Sequence, residues 1–329
     1  MPVETHIVHN TPWAVSVGGG TNQQPMIAAA RKLGYSVLVI GRQVATASAD
    51  LHFAISTFDT EDVCNKVLSS PLRDRIEVVL TRSSGPALIT GSELARRLGL
   101  RGHAPELAVA AADKQALARL CKAWGIRTPR SWRPVGLASH ALGEELVVKP
   151  NQPTVGKVGV RRVSDPHQLE SAISEASRHS LDGAAMIQES VSGLDITSLL
   201  LVNDGNVVWQ HHFEERVVQL ADGTFSTGGH EELSHGIHPI DADFFTRIGD
   251  CVRKFRHTGF LMLSYRSNAE GSFLYEVNTG LAGDGLAERF SGAGAGFDLF
   301  EAEVMMLASS TAPTLGFPRS HRLLIPELA

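Results

Sequence analysis

Apolar positions in the first third of the chain alternate between two periods. Pro12 to Val17 (PWAVSV) is a short β-rich run that stops at Gly18-Gly19-Gly20. From Pro25 to Leu33 the apolar residues Met26, Ile27, Ala30 and Leu33 recur at helical spacing, and Gly34 ends the pattern. Ser36 to Arg42 (SVLVIGR) is again β-rich. Strand, helix, strand in this order predicts a βαβ unit with parallel strands and a right-handed crossover. Ile76 to Thr81 predicts a further strand, and Ser92 to Leu98 a helix stopped by Gly99.

A second region begins near His103. Ala111 to Trp124 predicts a helix closed by Gly125, and Glu145 to Lys149 (ELVVK) a strand ending at Pro150. Asn151 to Gly159 has no helical period and holds Pro153, Gly156 and Gly159, which predicts a loop. A strand at Val160 to Val163, a helix at Gln168 to His179 and a strand at Met186 to Glu189 complete a small α+β lobe. Ile196 to Val202 and Val207 to His212 predict a hairpin across Asn203-Asp204-Gly205-Asn206. Phe260 to Tyr265 and Ser272 to Val277 predict another, across Asn268 to Gly271. Between them lie a polar, glycine-containing stretch, Ala221 to His238, expected to be a loop, and a helix from Asp241 to His257. The glycine-rich stretch Gly280 to Gly296 precedes a last helix, Leu299 to Ala308.

Length and composition narrow the class. A chain of 329 residues suits two or three packed lobes. A net charge of -5 offers no basic footprint for nucleic acid. No apolar run approaches the roughly 18 to 20 residues of a spanning helix, and the N-terminus lacks the pattern of a signal peptide. Cys64, Cys121 and Cys251 are few and widely spaced, as expected of buried, reduced thiols. A cytoplasmic enzyme is the expectation.

Several polar constellations carry chemistry. Gly18-Gly19-Gly20 between strand and helix invites a dinucleotide reading, but GxGxxG would need glycine where Gln23 stands, and Arg42 ends the second strand where an acid would bind ribose. A tight turn whose amides favour an anion, such as a substrate carboxylate, fits better. Lys149 at the end of an apolar strand, before a glycine loop, sets a point charge beside flexible backbone donors, as a polyphosphate requires. Asp113-Lys114 opens a helix upstream. Downstream, MIQESVSGLD places Gln188, Glu189 and Val191 before Gly193 and Asp195, a carboxylate able to accept from ribose hydroxyls. In LYEVN, Glu276 and Asn278 sit two residues apart on one strand face, as oxygen ligands for magnesium. His211 and His212 are adjacent on a strand, so they point to opposite faces and argue against zinc. Glu214, Glu215 and the segment from His230 suit a pocket that receives an ammonium group or its proton.

In this order and spacing the chain resembles the ATP-grasp superfamily, over nearly its whole length. The resemblance implies an α/β protein: a Rossmann-like pre-ATP-grasp domain at 1–102, then a two-lobed α+β ATP-grasp fold at 103–329, with a lid lobe at about 128–187 and a C-terminal lobe at about 188–329. It implies ATP and Mg2+ as cofactors. Lys114, Lys149, Thr154 and Gly156 would meet phosphates; Gln188, Glu189 and Val191 adenine; Asp195 ribose; Glu276, Asn278 and Ser264 the metal. Two departures stand out. Ser264 occupies the position, in register with Glu276, where an acid is usual, with Asp284 or Glu270 as candidate substitutes. Gly280 stands where many peptide-forming members have arginine, leaving Arg216, Arg266 or Arg289 for its task. Glu215, His230, Gly283 and Asp284 are the implied substrate residues. The implied activity is ATP-dependent carboxylate–amine ligation through an acyl phosphate, on small-molecule acid and amine partners, with a homodimer expected by analogy of fold. An ATP-dependent carboxylase and a non-catalytic ATP-binding protein are the alternatives.

Overall fold

The computed structural model describes residues 11–43, 49–134, 145–153, 156–220, 224–233, 241–292 and 298–309. Three sheets organise them. The first is parallel. Its strands β1 (Trp13–Val17), β2 (Ser36–Ile40), β3 (Leu51–Phe53) and β4 (Ile76–Leu80) lie in the order β3-β2-β1-β4. Helix α1 (Gln24–Lys32) makes the expected crossover between β1 and β2. α2 (Thr60–Leu68) and α3 (Pro86–Leu98) pack with the other face, through Val63, Val67, Ala87 and Leu94. Three features of this sheet go beyond the hydrophobic pattern: β3, α2, and an α3 that starts six residues early, at Pro86. Asp59 caps α2 by accepting from the Asp62 amide, and Gly99 ends α3 in the left-handed region at φ 71°.

The single helix expected from Ala111 is two helices. α4 (Pro105–Ala112) ends at Asp113, whose backbone is extended and whose carboxylate caps α5 (Lys114–Trp124) at the Ala116 amide, 2.8 Å away. The break matters because it turns Lys114 into the first residue of a helix.

A smaller antiparallel sheet, in the order β5-β8-β6-β7, contains β5 (Ser131–Trp132), β6 (Leu146–Pro150), β7 (Arg161–Val163) and β8 (Ala185–Glu189). α6 (Pro166–Arg178) covers it, burying Leu169, Ala172 and Ala176 against Leu146, Val148 and Ile187.

The largest sheet, β11-β10-β9-β12-β13, is antiparallel. It comprises β9 (Leu194–Asn203), β10 (Asn206–Gln219), β11 (Phe225–Glu232), β12 (Gly259–Asn268) and β13 (Gly271–Thr279). Here the expected loop at 221–238 is corrected. Residues 225–232 form β11, paired with Phe213 to Gln219; His235 and His238 lie outside the described residues. The sequence FSTGGHEE lacks apolar alternation, so its strand state comes from tertiary pairing and not from a local signal. One face of this sheet packs on α4, α5 and α7 (Ala242–Lys254). The other packs on α8 (Leu286–Gly292) and α9 (Leu299–Ala308), which share one core with α1 and the first sheet. Helix α8 thus interrupts the glycine-rich stretch. Among the described residues no helix is long and apolar enough to cross a membrane.

Candidate active site

A cavity of about 140 Å³ lies between the small sheet and the large one. Its lining includes nine of the residues singled out in the sequence: Lys114, Lys149, Gly156, Gln188, Glu189, Val191, Asp195, Arg266 and Glu276. Thr154 lies outside the described residues.

Local bonding explains how the two lysines meet. Lys149 is on β6, and Asn151 follows two residues later. The Lys114 amide donates to the Asn151 carbonyl at 3.0 Å, and the Gln115 amide donates to Asn151 Oδ1 at 3.0 Å. The Gln152 side chain reaches Asp113 Oδ2 at 2.9 Å. The start of α5 is therefore clamped to the end of β6. Lys114 Nζ then meets Glu276 Oε2 at 3.1 Å. Lys149 Nζ is buried, 3.4 Å from the Tyr275 carbonyl and 5.7 Å from the centre of its ring.

The electrostatics follow from this crowding. Burial pushes the Lys149 ammonium well below the ordinary lysine range, and the like charge of Lys114 adds to the effect. The charge of Lys114 holds the Glu276 carboxyl below its ordinary value against desolvation, helped by their hydrogen bond and by Lys149 and Lys157. Two amines and one carboxylate share a wall; an incoming polyanion would supply the missing counter-charge.

The β12–β13 hairpin has the expected register: Ser264 pairs with Glu276. Directly after this pair the register shifts, because Tyr265 pairs with Leu274 and Tyr275 is the extra residue. The bulge re-aims Tyr275, so it lines the cavity together with its neighbour Glu276. Strict alternation puts these two on opposite faces, so the strand pattern alone gives no sign of Tyr275 in the cavity. Asn278 has a buried side-chain oxygen with no hydrogen-bond partner among the described residues. Asp284 and Glu270 do not replace the acid absent at Ser264: Glu270 is at the hairpin turn, and Asp284 belongs to the second cluster described below.

The hinge residues are held by neighbours. Gln188 donates to Ser131 Oγ at 2.9 Å, and Glu189 accepts from the Arg130 amide at 2.8 Å and from its guanidinium at 2.5 Å. Asp195 is taken by Arg266, which reaches both carboxylate oxygens at 2.9 and 2.5 Å and the Val191 carbonyl at 2.7 Å. Arg266 therefore ties the hinge to β12 and β9, and its guanidinium is committed to a carboxylate. Arg216 pairs with Glu231 on the exposed side of β10 and β11.

Arg289 sits elsewhere, in a second cluster. His230 on β11 pairs across the strands with Glu215 on β10. Its ring is buried, and among the described residues neither nitrogen has a hydrogen-bond partner. Burial lowers its pKa, opposed by the charges of Glu215 and Asp284 and assisted by those of Arg289 and Lys157. The charges of Glu215, Asp284 and Arg289 thus all act on His230, whereas Gly283 lies against Asn22, just past the glycine turn. That turn ends β1 beside the end of β4, the point in a parallel sheet where ligands bind. Buried Arg82 braces it, with hydrogen bonds to the carbonyls of Asn22 and Ala282 and to Glu288.

The glycine at 280 is a steric requirement. It has φ 87°, and a Cβ there would stand 2.9 Å from the Thr81 carbonyl oxygen and 3.0 Å from His103 Cε1. No arginine side chain can start from this backbone.

No protein-family model matches the chain, and no curated protein is significantly similar to it in sequence. Solved structures are similar in three dimensions, and with them the chain has the ATP-grasp fold. The L-amino acid ligase of Bacillus licheniformis superposes with a TM-score of 0.68 at 17% identity, covering 94% of this chain and 75% of that one. The phosphoribosylglycinamide synthetase of Anaerococcus prevotii gives 0.67 at 13% identity, over 90% and 75%. The biotin carboxylase domain of the Hydrogenobacter thermophilus 2-oxoglutarate carboxylase, solved with MgADP and bicarbonate, gives 0.67 at 14%, over 96% and 71%.

Proposed function

We propose that this protein is an ATP-dependent carboxylate–amine ligase that works through an acyl phosphate and releases ADP and phosphate. The reading divides the chain into a Rossmann-like domain at 1–102 and a two-lobed unit at 103–329, the lid at about 128–187 and the rest at about 188–329. The observation that carries it is the wall formed by Lys114, Lys149 and Glu276, facing a cavity that also reaches the 188–191 hinge and Asp195. ADP complexes among the similar structures support the choice of nucleotide.

In this reading Lys114 releases Glu276 to pair with phosphate oxygens, and the polyanion gives the buried Lys149 ammonium the counter-charge it lacks. Gly156 and the turn around it close over the phosphates and exclude water. Glu276 and the orphaned oxygen of Asn278 fit a hard divalent cation, with the Ser264 hydroxyl the weakest donor of the set. Magnesium bound there would supply charge neutralisation on the phosphates. Asp195, held by Arg266, offers its outer lone pairs to ribose. On the acceptor side Glu215 and Asp284 bind the ammonium, His230, neutral through burial, takes its proton, and Arg289 steadies the anionic intermediate near Gly283.

Incubation with ATP, magnesium and amino-acid mixtures tests the reading, with ADP, AMP, phosphate and amide product followed together. Amine-dependent ADP release with a new amide supports ligation. Bicarbonate-dependent release points instead to carboxylation, for which a similar structure holds bicarbonate. Nucleotide binding without turnover in any mixture would support the non-catalytic alternative, which Ser264 opposite Glu276 favours.

A further inference from the structure

Lys157 lies in the loop expected at Asn151 to Gly159 without a role of its own in the sequence, and it joins the two sides of the cavity mouth. It lies in the turn between β6 and β7, with a left-handed backbone at φ 64° that a residue with a side chain adopts only when its surroundings hold it. Its ammonium contacts Glu215 Oε1 and Thr227 Oγ1, on β10 and β11 of the large sheet. Thr227 also donates to Glu215 at 2.8 Å, and Thr197 approaches the other oxygen at 3.4 Å. The Glu215 side chain is only 10% exposed. A carboxylate so enclosed needs a cation, and the neighbouring His230 is held neutral by burial. Lys157 supplies that cation from the turn that covers the cavity.

We propose that Lys157 is an internal stand-in for the acceptor's ammonium group: it fills the cation place at Glu215 until a primary amine displaces it. The inference rests on the reading of Glu215 as the ammonium site, and it adds a consequence. Both cations compete for one carboxylate, so acceptor binding breaks the only charged contact described between the 156–159 turn and the large sheet. The freed ammonium stays on the cavity wall, where Lys157 already lies among the phosphate-side residues. Displacement then adds a positive charge beside the phosphates only when an amine is present, which limits wasteful ATP hydrolysis.

Hydrogen exchange over residues 156–163 of the full chain tests this, in methylammonium chloride and in tetramethylammonium chloride of equal ionic strength. Methylammonium can donate to Glu215 and tetramethylammonium cannot. Methylammonium is expected to speed exchange of this segment roughly five- to tenfold in the wild type, and tetramethylammonium to leave it unchanged. Lys157→Met is expected to exchange at the fast rate in both salts, and Lys157→Arg to restore the slow rate; circular dichroism confirms that both variants are folded. Equal effects of the two salts, or a Lys157→Met turn as protected as the wild type, would overturn the proposal. A fluorescent ADP analogue titrated into the same samples reports separately on the ligase reading. Absent nucleotide binding would remove that reading, while the exchange data would still decide the role of Lys157.

Discussion

Replacing Lys149 by methionine should stabilise the empty protein and cripple nucleotide binding at the same time. The residue is 5% exposed, and its ammonium has one long hydrogen bond, 3.4 Å to a carbonyl, beside the like charge of Lys114. Keeping a poorly paired buried polar group costs about 1–3 kcal/mol, and the single weak hydrogen bond returns about 0.5–1 kcal/mol. Methionine has nearly the same length and volume, so the net gain should be about 1–2 kcal/mol without a cavity. The phosphate bond lost on the other side is charge-assisted and worth about 1.5–3 kcal/mol, or roughly a 10- to 150-fold weaker Kd for ATP. Urea unfolding of the empty protein and a nucleotide titration measure the two effects on one sample. A variant that is less stable than the wild type, or that binds ATP as tightly, would refute the assignment of Lys149 as a strained phosphate ligand.

Further outcomes follow from the same geometry. Gly280→Ala should cost about 2–4 kcal/mol of stability, from the left-handed backbone and the contact with the Thr81 carbonyl, as read by urea unfolding. His257 donates from Nε2 to the Phe260 carbonyl while its Nδ1 accepts from the Ala104 amide, and burial first, then His103, lowers its pKa from 6.5 to about 3. A folded-state pKa below the unfolded value means that the unfolded chain binds the extra proton. Stability should be complete above pH 6.5 and fall as pH drops toward 3, and this slope should shrink in His257→Asn. Arg266→Met leaves Asp195 without its cation and the Val191 carbonyl without its donor; both stability and nucleotide affinity should fall, by about 2–4 kcal/mol for the former. Ser264→Asp puts a second carboxylate opposite Glu276 and should tighten magnesium binding about tenfold in a metal titration.

Hydrophobic periodicity exposed the βαβ unit, both hairpins and the lysine-bearing strand, because those elements bury one regular face. It failed where another force sets the structure. β11 carries Gly228 and Gly229 among polar residues and is a strand because β10 pairs with it. The break between α4 and α5 depends on the capping carboxylate of Asp113, a signal present in the Asp-Lys pair but outweighed by the continuous run of apolar residues around it. The two-residue rule puts Glu276 and Asn278 on one strand face, and the bulge at Tyr275 is invisible to that rule. Lys157 has no periodic context, and its partner Glu215 is 58 residues away. The partner of Arg266 was equally hidden: in sequence it was a free candidate for the acyl phosphate, and in the fold Asp195 holds it.

The central claim is that Lys114, Lys149 and Glu276 surround one triphosphate. A crystal structure with a non-hydrolysable ATP analogue and magnesium tests it most directly. The account predicts both ammonium groups within hydrogen-bonding distance of phosphate oxygens, the Lys114–Glu276 pair opened, and the adenine against residues 188–191. An analogue bound outside this cavity, or phosphates that touch neither lysine, would contradict it.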